Sequence, residues 1–143
     1  MCPSDDIGFL LKLINECIEK NANQALKPFD LTLSQARILF YLHDHQDATT
    51  SQKDLEEFFE VSHPTIIGIL NRLEGKGFIR SEHCSKDKRV KSIFLTDKGG
   101  KVFCSMDHFR KSNEANMLQD LTDKQIKELK SLLKIVYKNI QES

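Results

Sequence analysis

The stretch VSHPTIIGILNRLEGKGFIRSEHCSKDKRVKSIFLTDKG, residues 61 to 99, decides how the rest of the chain is read. Its first part spells a helix over His63–Gly75. Ser62 is a side chain that caps helix starts, and Pro64 sits in the first turn, where no backbone N–H is needed. Ile66, Ile69, Leu70 and Leu73 fall on one face of this helix, while His63, Pro64, Thr65, Ile67, Gly68, Asn71 and Arg72 face outward. The second part is a hairpin, residues 78–84 and 89–95, joined by the polar turn Ser85-Lys86-Asp87-Lys88. A helix that feeds a basic two-stranded wing is a winged helix-turn-helix pattern, and it points to DNA.

Working outward, Thr32 with Gln35 and Ser51 with Asp54 form capping boxes that open two earlier helices. One continues through Ile38, Leu39 and Leu42 and ends in the polar loop 43–49; the other covers Gln52–Phe59, with Leu55 and Phe59 inward. Glu60-Val61 is then the tight turn before the last helix of a three-helix core. At the start of the chain, Ile7, Leu10, Leu11, Ile14, Cys17, Ile18 and Ala25 recur at helical steps over 6–27, and Pro28 stops the run. After the wing, Thr96 caps a long helix to about residue 118. A Thr122/Gln125 box opens the final one, striped by Ile126, Leu129, Leu133, Val136 and Ile140. These terminal helices are amphipathic, and intertwined dimerisation buries them economically. The expected fold is mainly α with a small β-wing. It is a single domain over 1–143, with a winged helix-turn-helix at 30–100 and helical dimerisation regions at 1–29 and 101–143.

The formal net charge is zero, but charge is unevenly placed. Residues 1–71 hold five basic and eleven acidic side chains. Residues 72–91 hold seven basic ones (Arg72, Lys76, Arg80, Lys86, Lys88, Arg89, Lys91) against three acidic. Positive charge gathered on the wing is what a phosphate backbone responds to. Hydrophobic content of 39% and charged content of 29% are those of a globular domain. No run approaches the ~18 apolar residues of a membrane span, and the start MCPSDDIGFLL carries acids where a secretory signal is basic. A cytoplasmic location without a membrane partner is expected. Four cysteines without a C-x-x-C pair read as reduced thiols. There is no Gly-rich phosphate loop, no G-x-S-x-G and no H-E-x-x-H, so neither an enzyme nor a cofactor is expected.

Six short words stand in register: Leu31-Thr32-x-x-Gln35, Ser51-Gln52-Lys53-Asp54-Leu55, Val61-Ser62-x-Pro64-Thr65, Leu73-Glu74-x-x-Gly77-Phe78-Ile79, Asp87-x-Arg89 and Leu95-Thr96-Asp97-x-Gly99. In this the chain resembles the MarR family of bacterial regulators (multiple antibiotic resistance regulator). The resemblance implies a two-fold dimer built from the terminal helices, with each recognition helix in a major groove of a pseudo-palindromic operator. Each wing tip would reach a neighbouring minor groove. Many members are repressors released by a phenolic or other lipophilic ligand; others respond to metals or oxidants, the oxidant sensors through a cysteine near the position of Gly8, where this chain has none. Three positions depart from the family pattern: Glu60 where Gly is common, Glu56 where a small apolar residue is usual, and Phe58 where a polar one is common.

The residues expected to meet DNA follow from chemistry. Arg89 at the wing tip is a planar, permanently charged donor suited to a narrow minor groove, and Asp87 can hold its guanidinium. Lys86, Lys88 and Lys91 neutralise phosphates. Ser62, His63, Pro64 and Thr65 form the first turn that approaches base edges. Ile67 suits a thymine methyl, and Arg72 suits a guanine or phosphate unless it pairs with Glu74 or Glu82. Gly68 costs a helix about 1 kcal/mol relative to Ala, which close DNA approach or tight helix packing would explain. Gln52 and Lys53 are backbone contacts from the preceding helix. On the effector side, Cys17 reads as a buried small hydrophobe, and Cys104/His108 as half a metal site or a thiolate–imidazole pair, with His43-x-His45 in a loop as its other half. The default ligand pocket is an apolar cleft between the first helix and residues 38–42. A metal- or redox-responsive regulator and a winged-helix protein-interaction module are the alternatives.

Overall fold

In the computed structural model, residues 5–83 and 90–142 are described. The chain divides into one compact unit reaching Phe109 and a second beginning at Arg110. The first contains α1 (Ile7–Leu26), α2 (Leu33–Asp44), β1 (Thr50–Ser51), α3 (Gln52–Phe59), α4 (His63–Gly75), β2 (Ile79–His83), β3 (Lys91–Leu95) and the first part of α5 (Asp97–Met117). The second contains the last turns of α5 and α6 (Asp123–Gln141).

The helix starts follow their capping chemistry. Thr32, Ser51 and Thr122 each close a full box with Gln35, Asp54 and Gln125, which satisfies N–H groups that the first turn leaves without partners. Ser62 accepts the Thr65 N–H at 3.4 Å, with Pro64 in the first turn of α4. At the other end of α4, the N–H of Phe78 bonds to Leu73 O and that of Gly77 to Glu74 O, with Gly77 at φ 83°. This is a Schellman stop, and Leu73 and Phe78 bury their side chains in the core beside it.

The hairpin therefore starts at Ile79 and not at the expected Phe78, and its return strand is described from Lys91, with Val90 outside it; residues 84 and 89 of the expected strands lie outside the described residues. Phe78 is spent on ending the helix, and pairing runs from Ile79 opposite Leu95 to His83 opposite Lys91. A third strand was not expected: β1 adds to the outer edge of β3, giving the antiparallel order β1-β3-β2. Helix α1 stops at Leu26, short of the expected 27, because Lys27–Phe29 tightens into a 3-10 turn around Pro28.

The core of this unit gathers Leu26 from α1, Ile38, Leu39 and Leu42 from α2, and Leu55 from α3. Ile66, Leu70 and Leu73 of α4 join Phe78, Ile79, Ile93 and Val102 around them. Ile69, expected inward with them, is half-buried at its margin. Several large apolar side chains remain outside it. On α1, Ile7, Leu10, Leu13 and Ile14 are exposed; on α6, Leu129, Leu132, Leu133, Ile135, Tyr137 and Ile140 are exposed. Among the described residues no helix is long and apolar enough to cross a membrane.

Candidate nucleic-acid interface

The outward face of α4 stands as its periodicity requires. His63, Pro64, Thr65, Asn71 and Arg72 are exposed, and Ile67 and Gly68 are half-exposed. The hydroxyls of Ser62 and Thr65 lie 2.8 Å apart, so the first turn presents a linked pair of hydroxyls while the Ser62 oxygen also caps the helix. An added Cβ on Gly68 would meet nothing within 4 Å. Tight packing inside the chain thus does not account for this glycine.

Helix α3 lies beside this turn. Gln52 Nε2 is 3.2 Å from His63 Nδ1 and 3.5 Å from Glu56 Oε1, and Glu56 Oε1 itself contacts His63 Nδ1. Lys53 is exposed next to Gln52. Lys91 is exposed at the start of β3, across from His83. Gln52, Lys53, His63, Ile67 and Lys91 share the wall of one concave surface of about 610 Å³, with Asn71 between them. Lys86, Asp87, Lys88 and Arg89 lie outside the described residues, and so does the Asp87–Arg89 pairing.

Arg72 is exposed in the last turn of α4. The two carboxylates that compete for it are otherwise engaged, Glu82 with Arg80 and Glu74 with Ser81. Arg80 also stacks its guanidinium 4.5 Å above the Phe94 ring, its partner across the hairpin. That stack stiffens the base of the wing.

Several sensor expectations are corrected. Cys17 is exposed, because its face of α1 has no cover within the unit. His43 belongs to the last turn of α2, not to a loop, and its ring stacks on Phe103 at 3.5 Å between centroids. His45 stacks on Tyr41, with its Nδ1 2.8 Å from the Tyr41 carbonyl oxygen. Packing thus occupies the rings read as the second half of a metal site. No group of three or more His, Cys, Asp or Glu among the described residues is placed to hold a metal ion. Of residues 38–42, Ile38, Leu39 and Leu42 are buried in the core, and Phe40 and Tyr41 are half-buried at its margin.

The three departures from the family pattern have distinct places. Glu60 ends α3 in the left-handed region, at φ 54°, where glycine is the strain-free choice. Phe58 is 62% exposed and lies against Tyr41 and Phe59, outside the core. Glu56 contacts His63, a role that sequence reasoning missed; its only written signal is its place four residues after Gln52.

Residues 31–91 match the family model described as MarR family. A crystal structure of a Staphylococcus aureus MepR–DNA complex is similar over 94% of this chain and 98% of that one, at 26% identity and a TM-score of 0.82. MepR described as a transcription regulator of the S. aureus multidrug efflux pump MepA matches at 25% identity over the same shares, with a TM-score of 0.80. A crystal structure of MarR shares the fold at 23% identity and a TM-score of 0.78, over 94% of this chain and 96% of that one.

Proposed function

We propose that the chain is a transcription regulator of the MarR family, whose model matches residues 31–91, and that it binds a pseudo-palindromic DNA operator as a homodimer and represses transcription. The observation that carries this reading is the outward face of α4. Its first turn, Ser62 to Thr65, is exposed, and His63 of that turn lines one concave surface together with Gln52, Lys53, Ile67 and Lys91. A helix N-terminus offers N–H groups and positive dipole to phosphates, and its first side chains reach base edges. The MepR–DNA complex supports the reading as a relative solved on its ligand.

Dimerisation is supported by the apolar side chains that one copy leaves in water on α1 and α6. Each large aliphatic or aromatic side chain buried in a dimer contributes roughly 1.5–3 kcal/mol. Release by a lipophilic or phenolic ligand belongs to the same proposal through the family resemblance. A cytoplasmic location follows from DNA as the target.

The test is fluorescence-anisotropy titration against selected palindromic and random duplexes at two salt concentrations, with Thr65→Ala and Arg89→Ala beside the wild type. The proposal expects nanomolar binding to one palindrome that tightens with falling salt and weakens in both variants. Sedimentation of the free protein expects a dimer. Weak binding that is blind to duplex sequence and to both substitutions would leave a protein-interaction module as the better reading.

A further inference from the structure

We infer that Asn71 is the adenine-reading side chain of α4, and so a specificity-determining residue of the DNA interface proposed above. The inference rests on that reading and adds what the interface selects, an A·T pair in each half of the operator.

Helix α4 turns Ile66, Leu70 and Leu73 into the core. At about 100° per residue, the line on the opposite side runs through Pro64, Gly68, Asn71 and Gly75. Pro64, Asn71 and Gly75 are exposed, and Gly68 is half-exposed. A Cβ added to Gly68 or to Gly75 meets nothing within 4 Å, so packing inside the chain explains neither glycine. The crest of the helix is therefore low, and Asn71 is the one side chain on it that carries hydrogen-bonding groups. A short amide reaches a base edge only where the helix backbone comes close. This crest permits that approach.

The polar groups around the crest are already engaged. The Ser62 and Thr65 hydroxyls lie 2.8 Å apart, Gln52 contacts Glu56 and His63, and Glu74 accepts from Ser81. Among the described residues the Asn71 amide has no hydrogen-bond partner. An amide offers a donor and an acceptor side by side. In the major groove adenine presents the complement, its N7 acceptor beside its N6 donor. Guanine presents two acceptors, which suit Arg or Lys, while cytosine and thymine each present a single polar group. Phosphates only accept, and the exposed cations Lys53, Arg72 and Lys91 serve them better. Ile67 stands one turn before Asn71, about 6 Å along the axis, and its half-exposed side chain suits a thymine methyl. At about 3.4 Å per base pair, that thymine falls within about two pairs of the adenine.

The experiment begins with selection of duplexes from a random library by the wild-type chain. The preferred palindrome is then titrated by fluorescence anisotropy with each position changed in turn, in both half-sites together. Asn71→Ala and Asn71→Asp are carried through the same series. Thermal melts establish that both are folded, and alanine is the better helix former. At one position of each half-site the wild type is expected to favour adenine over the other bases by roughly five- to hundredfold. Asn71→Ala should bind all four bases there nearly alike while keeping the other preferences of the wild type. Asn71→Asp keeps the shape but has no donor for N7, so it should lose the adenine preference as well. Replacing that adenine by 7-deazaadenine, which lacks the N7 acceptor, should weaken the wild type and leave Asn71→Ala unchanged. An Asn71→Ala protein that keeps every base preference, or that weakens on all duplexes alike, would overturn the inference while leaving operator binding intact. If no form prefers any palindrome over random duplex, the DNA reading itself fails and the inference falls with it.

Discussion

Glu74, in the last turn of the outward-facing helix α4, accepts two hydrogen bonds from Ser81 in the middle of β2, from the amide N–H at 3.3 Å and from the hydroxyl at 2.9 Å. Recognition helix and wing are thus joined by a short polar tie as well as by the turn between them. Glu74→Ala removes both bonds at an exposed site. Chemical denaturation should therefore show a loss of about 1 kcal/mol or less. Operator affinity should fall by a larger factor than that stability loss suggests, because the wing is no longer held in register with α4. Equal affinity of Glu74→Ala and wild type would mean that the tie does not position the wing.

Gly68 separates two explanations by experiment. A Cβ there meets no neighbour, so Gly68→Ala should raise helix stability by about 0.5–1 kcal/mol. The same methyl would stand between α4 and a closely approaching duplex, so operator binding should weaken. A higher melting temperature with weaker DNA binding is the expected pair of results. Unchanged binding would remove close approach as the reason for this glycine.

Gly99 behaves in the opposite way. A Cβ on it would overlap the Phe78 carbonyl oxygen and lie 2.6 Å from Leu95 Cδ1. The first turn of α5 is seated directly on the end of the Schellman stop, where Phe78 O also accepts the Thr96 N–H at 3.2 Å. Gly99→Ala should cost on the order of 2–3 kcal/mol in denaturant unfolding, since backbone must move to admit the methyl. A near-neutral effect would show that the start of α5 can shift freely away from the sheet.

Glu60 holds a left-handed backbone conformation that costs an ordinary residue roughly 1–2 kcal/mol. Glu60→Gly should stabilise the protein by about 0.5–1 kcal/mol once the larger freedom of glycine in the unfolded chain is set against the relieved strain. Thermal unfolding at a fixed protein concentration reads the change. A lower melting temperature would mean that the Glu60 side chain contributes more than its backbone costs.

Much of this architecture was legible because it is local. The three capping boxes, the Ser62 cap and the apolar face of α4 lie within a few residues of their partners, and each occurs where the residues require. The parts that were not legible depend on distant neighbours. Thr50–Ser51 is too short to show alternation, and it becomes a strand only because Ile93 and Ser92 lie beside it. Phe78 has the composition of a strand residue, yet the Leu73 carbonyl claims its N–H. Cys17 sits on an apolar stripe, but a stripe does not say whether its cover comes from the same chain. Glu56 and His63 meet only because of how α3 and α4 cross, and no spacing rule encodes that angle.

Ser51 belongs to two structures at once. It is the last residue of β1, paired with Ser92, and its side chain and N–H close the box that starts α3, with Asp54 at 3.1 and 2.9 Å. The strand that bears Lys91 is therefore clamped to the helix that bears Gln52 and Lys53. Ser51 thus couples α3 to the base of the wing by a path separate from the turn that leads into α4: a side chain lost from one residue would loosen both a helix start and a sheet edge.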